Sequence, residues 1–238
     1  MDACVYFNNR YLQSLLINAR LIILDMNGLI IDDESIQLRS VNQTLQPCGL
    51  HINEAYWINN CVGKRADAYL LRILLENGVR DKKYSITDLV KEKNKHYHSL
   101  ITHNINKMVR SGVYTFINFL SRSTYFKTAL ATSALPDEIE TVLGENALNL
   151  KNIFQYIVTG SDVINSKPDP EIYKKVSELS DIQPQYCLVF EDSEPGVTAA
   201  FHAGMLCIAI PNRFTASQNF NHARCIIDNL THAAKIIN

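Results

Sequence analysis

Five short apolar runs recur along the chain, at residues 21–25 (LIILD), 127–133 (KTALATS), 156–160 (YIVTG), 187–192 (CLVFED) and 206–211 (LCIAIP). Each is closer to continuous than to alternating, which is the pattern of a strand covered on both faces. Helical patterns separate them. PDEIETVLGEN follows the second run, and DPEIYKKVSELS follows the third, with Asp169 placed as an N-cap and Pro170 at the first helical position. EPGVTAAFHAG follows the fourth and stops at Gly204. This rhythm predicts an α/β fold built on a doubly wound parallel sheet, whose ligands bind beyond the carboxyl ends of the strands.

The first two runs are separated by about a hundred residues in which apolar positions repeat at three and four instead. ESIQLRSVNQTLQPCG, ADAYLLRILLENG and ITDLVKEKNKHYHSLITHNINKMV all read as helices. A helical insertion that leaves the sheet after strand one and returns before strand two predicts an all-helical cap over residues 36–108. The core then comprises 1–35 and 109–238, with hinges near 32–35 and 109–112. Ahead of the first strand, Leu12, Leu15, Leu16 and Ala19 repeat at helical spacing, predicting a short helix docked on the domain, with a protein partner as the alternative.

Composition changes this picture little. A hydrophobic content of 47%, a charged content of 20% and a net charge of -1 describe a globular chain and give no electrostatic reason to expect nucleic acid. No apolar run approaches the roughly 18 residues of a membrane span, and Asp2, Asn8, Asn9 and Arg10 interrupt any signal peptide. Six cysteines without a CxxC pair read as reduced thiols of a cytoplasmic protein. The run KEKNKHYH reads as a solvated helix face, and His96, His98 and His103 have no acid partner that would make them a metal site.

Chemistry enters at the strand ends. In order they offer Asp25, then Thr132 and Ser133, then Lys167 in the following loop, then Glu191 and Asp192. Brought together, these are a carboxylate nucleophile, hydroxyls, an ammonium and an acidic pair. Phosphoryl transfer needs such a set: an in-line nucleophile, cations on the phosphoryl oxygens and donors that fix them. Asp25 beside Asp192 also makes a hard oxygen site of the kind Mg²⁺ prefers.

The segments DMNGLIIDDE, ALATSA, SKPDPEIY and VFEDSEPGVTAA, in this order and spacing, resemble the four motifs of the haloacid dehalogenase superfamily. The helical insertion resembles that family's C1 cap. The likeness is closest to the branch containing β-phosphoglucomutase, 2-deoxyglucose-6-phosphatase and pseudouridine-5'-phosphatase. It implies a Mg²⁺-dependent phosphatase of small phosphorylated metabolites, acting through an aspartyl phosphate. By the same resemblance Asp25 is nucleophile and metal ligand, with the Asn27 carbonyl and Asp192 as further ligands, and Glu191 holds metal-bound water. Thr132, Ser133 and Lys167 bind the phosphoryl group, and Gly28 permits the tight turn. Gly63, Lys64 and Arg65 fall where the family carries its substrate-specificity loop; they read equally as an exposed helix start.

One position departs from the pattern. Phosphatases of the superfamily carry a second Asp two residues after the nucleophile, where this chain has Asn27. An amide cannot protonate a leaving group or activate water, a contribution of about 10²- to 10⁴-fold. Slow hydrolysis, a disabled relative that binds a phosphometabolite or a protein, and an engineered Asn27 all remain open. Asp32 and Asp33 correspond to hinge residues of the family, and Gln37 stands where some mutases have histidine.

Overall fold

The structure, a computed structural model, describes residues 18–79, 85–102 and 104–237, the side chains of 234–237 excepted. Six parallel strands form one sheet in the order β3-β2-β1-β4-β5-β6: β1 (Leu21–Leu24), β2 (Lys127–Ala131), β3 (Tyr156–Val158), β4 (Cys187–Glu191), β5 (Leu206–Ala209) and β6 (Cys225–Ile226). β1 is central and every residue of it is buried, as its unbroken apolar run requires. Its side chains divide with the period of two. Ile22 and Leu24 enter one core cluster with Leu130, Leu188 and Phe190; Leu21 and Ile23 enter the other with Ala129, Ala131 and Val189. Full burial of each such aliphatic side chain contributes about 1.5–3 kcal/mol.

Helices cover both faces. α5 (Val113–Arg122), α6 (Pro136–Leu143) and α9 (Leu230–Ile237) lie on the first cluster, through Val113, Phe116, Ile139, Val142 and Leu230. α7 (Glu171–Ser180) and α8 (Glu194–His202) cover the second, through Ile172, Tyr173, Val176 and Val197. A third apolar cluster is formed by the segment between β1 and β2 together with Phe214 from the loop after β5. It gathers α1 (Glu34–Leu45), α2 (Glu54–Asn60), α3 (Ala66–Glu76) and α4 (Ile86–Ile101) around Val41, Leu45, Trp57, Leu70 and Ile73. The far end of α4 leaves that cluster, and its Tyr97 and Ile101 pack into the sheet's first cluster.

Several expectations shift at their edges. β2 ends at Ala131, before Thr132 and Ser133, and β5 at Ala209, before Ile210 and Pro211. α7 begins at Glu171 with Pro170 as its N-cap residue, while Asp169 Oδ1 accepts the Glu171 amide at 2.9 Å. The helical reading of Leu12, Leu15 and Leu16 lies outside the described residues, and Ala19 is buried in the first cluster. No described helix is long and apolar enough to cross a membrane.

The chain runs β1, β2, β3 to one side and β4, β5, β6 to the other, so the topological switch falls between β1 and β4. Leu24 pairs with Phe190 and Leu130, which sets Asp25, Glu191 and Ala131 at one level at the strand ends.

Candidate active site

Asp25 follows β1 without a break, and its amide still donates to the Phe190 carbonyl at 3.1 Å. Lys167, in the loop before α7, reaches the same level. Its Nζ donates to Asp25 Oδ1 at 2.7 Å, to Glu191 Oε1 at 2.6 Å and to the Ala131 carbonyl at 3.0 Å. Glu191 is saturated with donors: Tyr173 Oη joins Lys167 on Oε1, and the amides of Asp192 and Ser193 and the Ser193 hydroxyl share Oε2. Asp192 Oδ2 accepts from Asn212 Nδ2 at 2.8 Å, whereas its Oδ1 takes no hydrogen bond from the described residues. Gly28 adopts φ +78°, and a Cβ there would fall onto the Asp192 carboxylate, so both its conformation and its space demand glycine.

One ammonium cannot neutralise three carboxylates. Burial works against the charge of Lys167, but Asp25 and Glu191 outweigh it and hold its pKa above the ordinary lysine range. Burial, only partly opposed by Lys167 and reinforced by Glu191, lifts Asp25 to about 7. Burial and the charges of Glu191 and Asp25 push Asp192 up as well. A divalent cation would resolve this excess. Asp25, Glu191 and Asp192 each offer an oxygen, all within 4.8 Å of one another, and an all-carboxylate donor set suits Mg²⁺. The residues present therefore fit the metal, with Asp25 and Asp192 presenting the less encumbered oxygens.

A cavity of about 1110 Å³ opens above these groups and reaches from Asp25, Thr132, Ser133 and Lys167 to the helical segment. Thr132 is buried and its Oγ1 accepts the Ala134 amide at 3.1 Å. Gly63, Lys64 and Arg65 line the other side. Gly63 adopts φ +78° and packs against Ser193, where a Cβ would approach its Oγ to 2.9 Å. Lys64 Nζ donates to the Asn60 carbonyl at 3.1 Å. Arg65 pairs with Asp67 and donates to the carbonyls of Gly160 and Val163, so its guanidinium ties the helical segment to the loop after β3. His98 bonds Thr141, and His103 lies outside the described residues.

Asn27 is part of a polar network that sequence reasoning missed. Its Nδ2 donates to Asp33 Oδ2 at 2.7 Å and to Glu138 Oε1 at 3.0 Å. Gln37 Nε2 donates to the same two oxygens, Tyr97 Oη donates to Asp33 Oδ2, and Lys93 pairs with Glu138 Oε2 at 2.9 Å. The amide at position 27 thus bridges two buried acids, one following β1 and one on α6. Asp33 Oδ1 is buried without a partner among the described residues, and burial raises Asp33 to about 6 even though Tyr97, Asn27 and Gln37 oppose it. Glu34, bonded by Trp57 Nε1 at 2.8 Å, is raised to about 8 by burial and the neighbouring Asp33. Glu138, Lys93, Tyr97 and Trp57 carry no motif; only their arrival on one side of the cavity marks them.

Raised carboxyl pKa values make the folded state hold protons that the unfolded chain releases. Their stabilising effect is complete below the unfolded values and is lost as pH climbs through the folded values, about 6 for Asp33, 7 for Asp25 and 8 for Glu34. With divalent cations chelated, Tm is expected to fall between roughly pH 5 and pH 8, and Asp33→Asn to flatten the acidic part of that slope. Thermal melts across this range check it; a Tm that rises with pH contradicts it.

Known proteins share this arrangement of sequence and fold. The model of the haloacid dehalogenase-like hydrolases matches residues 22–210. The phosphorylated carbohydrates phosphatase of Thermotoga maritima is 32% identical over 186 residues, 77% of this chain and 81% of its own. Protein CbbY of Rhodobacter capsulatus is 26% identical over 221 residues, 90% of this chain and 94% of its own. The crystal structure of a mutant CbbY from Rhodobacter sphaeroides, in complex with xylulose-(1,5)bisphosphate, superposes with a TM-score of 0.81 at 23% identity, covering 90% of this chain and 95% of that one. With the family model spanning most of its length and the strand-end acids in place, the chain belongs to the haloacid dehalogenase-like hydrolases.

Proposed function

We propose that this protein is a Mg²⁺-dependent phosphatase of small phosphorylated metabolites, sugar or nucleoside phosphates, working through a phosphoryl group carried on Asp25. The observation that supports this most is the convergence of Asp25, Lys167 and Asp192 at the switch point, beneath one cavity. The T. maritima relative, named for phosphorylated carbohydrates, and the bisphosphate in the CbbY crystal favour a phosphorylated sugar.

In this reading residues 36–108 form a cap over the core of 1–35 and 109–238. The Asp25 oxygen not held by Lys167 is the one free to attack phosphorus, which splits a difficult displacement into two easier ones. Lys167 stays charged and draws the phosphoryl oxygens, and Thr132 and Ser133 fix them from the end of β2. Asp25, Asp192 and the Asn27 carbonyl would hold Mg²⁺, with Glu191 behind them steadying Lys167 and the Asp192 main chain. When bound, the metal supplies further charge neutralisation on the transferring group. Lys64, and Arg65 from its tether on Gly160 and Val163, shape the far wall against which the rest of the substrate rests.

Phosphate release from p-nitrophenyl phosphate and a sugar-phosphate panel tests the reading. Release is expected with Mg²⁺ and to vanish with chelator. No release from any substrate, with sugar phosphate still bound in calorimetry, would replace the enzyme by a binding protein.

A further inference from the structure

The network around Asn27 leaves the site with an attacking carboxylate and no proton donor at the usual position. Among the remaining buried acids, Glu138 is held by Lys93 and two amides. Asp33 is enclosed by Tyr97, Asn27 and Gln37 and does not line the cavity. Glu34 differs from both. It opens α1, it is buried, and it lines the same cavity as Asp25. Trp57 Nε1 fixes its Oε2, while its Oε1 takes no hydrogen bond from the described residues.

We propose that Glu34 is the proton donor and acceptor of this enzyme, taking over the role that Asn27 cannot fill; this rests on the phosphatase reading above. Protons and charge balance over the cycle. As Asp25 bonds to phosphorus and the ester P–O bond breaks, the Glu34 carboxylic acid gives its proton to the leaving oxygen, releasing an alcohol. The resulting carboxylate then takes a proton from the water that attacks phosphorus, the bond to Asp25 breaks, and hydrogen phosphate leaves with Glu34 protonated again. The groups whose charge bears on Glu34 are Asp33 on its own turn, Asp25 and Asp192 from the strand ends, and Lys93 from α4. Burial first and then Asp33 favour the protonated form, and Lys93, the one cation among these groups, is itself paired with Glu138. An acid that is protonated near neutrality suits both half-reactions.

Glu34→Gln tests this, because glutamine keeps an acceptor for Trp57 and removes only the transferable proton. The readout is kcat/KM, which reports steps up to phosphorylation of the enzyme, over substituted phenyl phosphates of one shape whose phenols range from acidic to basic. The loss is expected to be a few-fold for p-nitrophenyl phosphate and to grow toward about 10²-fold for methoxyphenyl phosphate, steepening the dependence on leaving-group basicity. A uniform loss across the series, or none, overturns the assignment, since a purely structural role would not follow the leaving group. Infrared spectra supply a readout besides turnover. With Mg²⁺ present, a carboxylic acid C=O component at neutral pH is expected in the difference spectrum of native protein minus Glu34→Gln; its absence from that difference overturns the proposal. Native protein that hydrolyses none of these esters with Mg²⁺ instead overturns the phosphatase reading, and the donor role with it.

Discussion

Asp25→Asn is expected to lower phosphate release by roughly 10⁴-fold or more, because no other nucleophile stands at the end of β1. The substitution removes one negative charge from a cluster in which three buried carboxylates face a single lysine. The folded protein should therefore gain stability in the absence of metal while losing turnover. That opposition separates a chemical role from a structural one, since a residue needed mainly for folding loses both together. Release assays with Mg²⁺ and denaturant titrations with chelator measure the two sides. Residual activity within tenfold of native protein would show that the phosphoryl group does not pass through this carboxylate.

Asn27→Asp is expected to destabilise the fold by about 2–4 kcal/mol. Both acceptors of the amide, Asp33 Oδ2 and Glu138 Oε1, lie within hydrogen-bond reach, so an aspartate would set a third carboxylate between two. Adding Glu138→Gln restores a donor to that position, and the pair should be coupled by about 1–3 kcal/mol in a double-mutant cycle. Urea denaturation of the two single variants and the double variant measures it. Strict additivity would mean that the amide is not matched to its acid neighbours. The coupling also bears on how Asn27 came to be there. Gln37 donates to the same two oxygens, so the amide belongs to a set of residues that fit one another.

The parallel sheet could be read from the chain because its central strands are buried on both faces, which leaves unbroken apolar runs at β1 and β4. The acids at their ends were legible for the same reason: a carboxylate directly after four buried aliphatic residues has few roles other than chemistry. β6 was not legible, since two residues, Cys225 and Ile226, cannot establish a period. α5 mixes Val, Thr and aromatic residues that suit a strand equally well, and its burial on the sheet through Phe116 and Ile117 decides the matter. α2, seven residues long with Trp57 as its buried anchor, is set by tertiary packing. The network around Asn27 brings together residues up to 111 positions apart, and no local pattern encodes that meeting. Arg65 shows the same. Its position read equally as a substrate loop and as an exposed helix start, and no sequence pattern announces that its guanidinium engages Asp67 and the loop after β3.

The central claim is that Asp25 carries the phosphoryl group. Acid quenching of the protein during turnover of p-nitrophenyl phosphate with Mg²⁺, followed by peptide mass spectrometry, reads it directly. The expected result is one added phosphoryl group on the peptide containing Asp25, lost on treatment with hydroxylamine and absent from Asp25→Asn. Turnover without any labelled peptide, or a label on a different residue, would contradict the account.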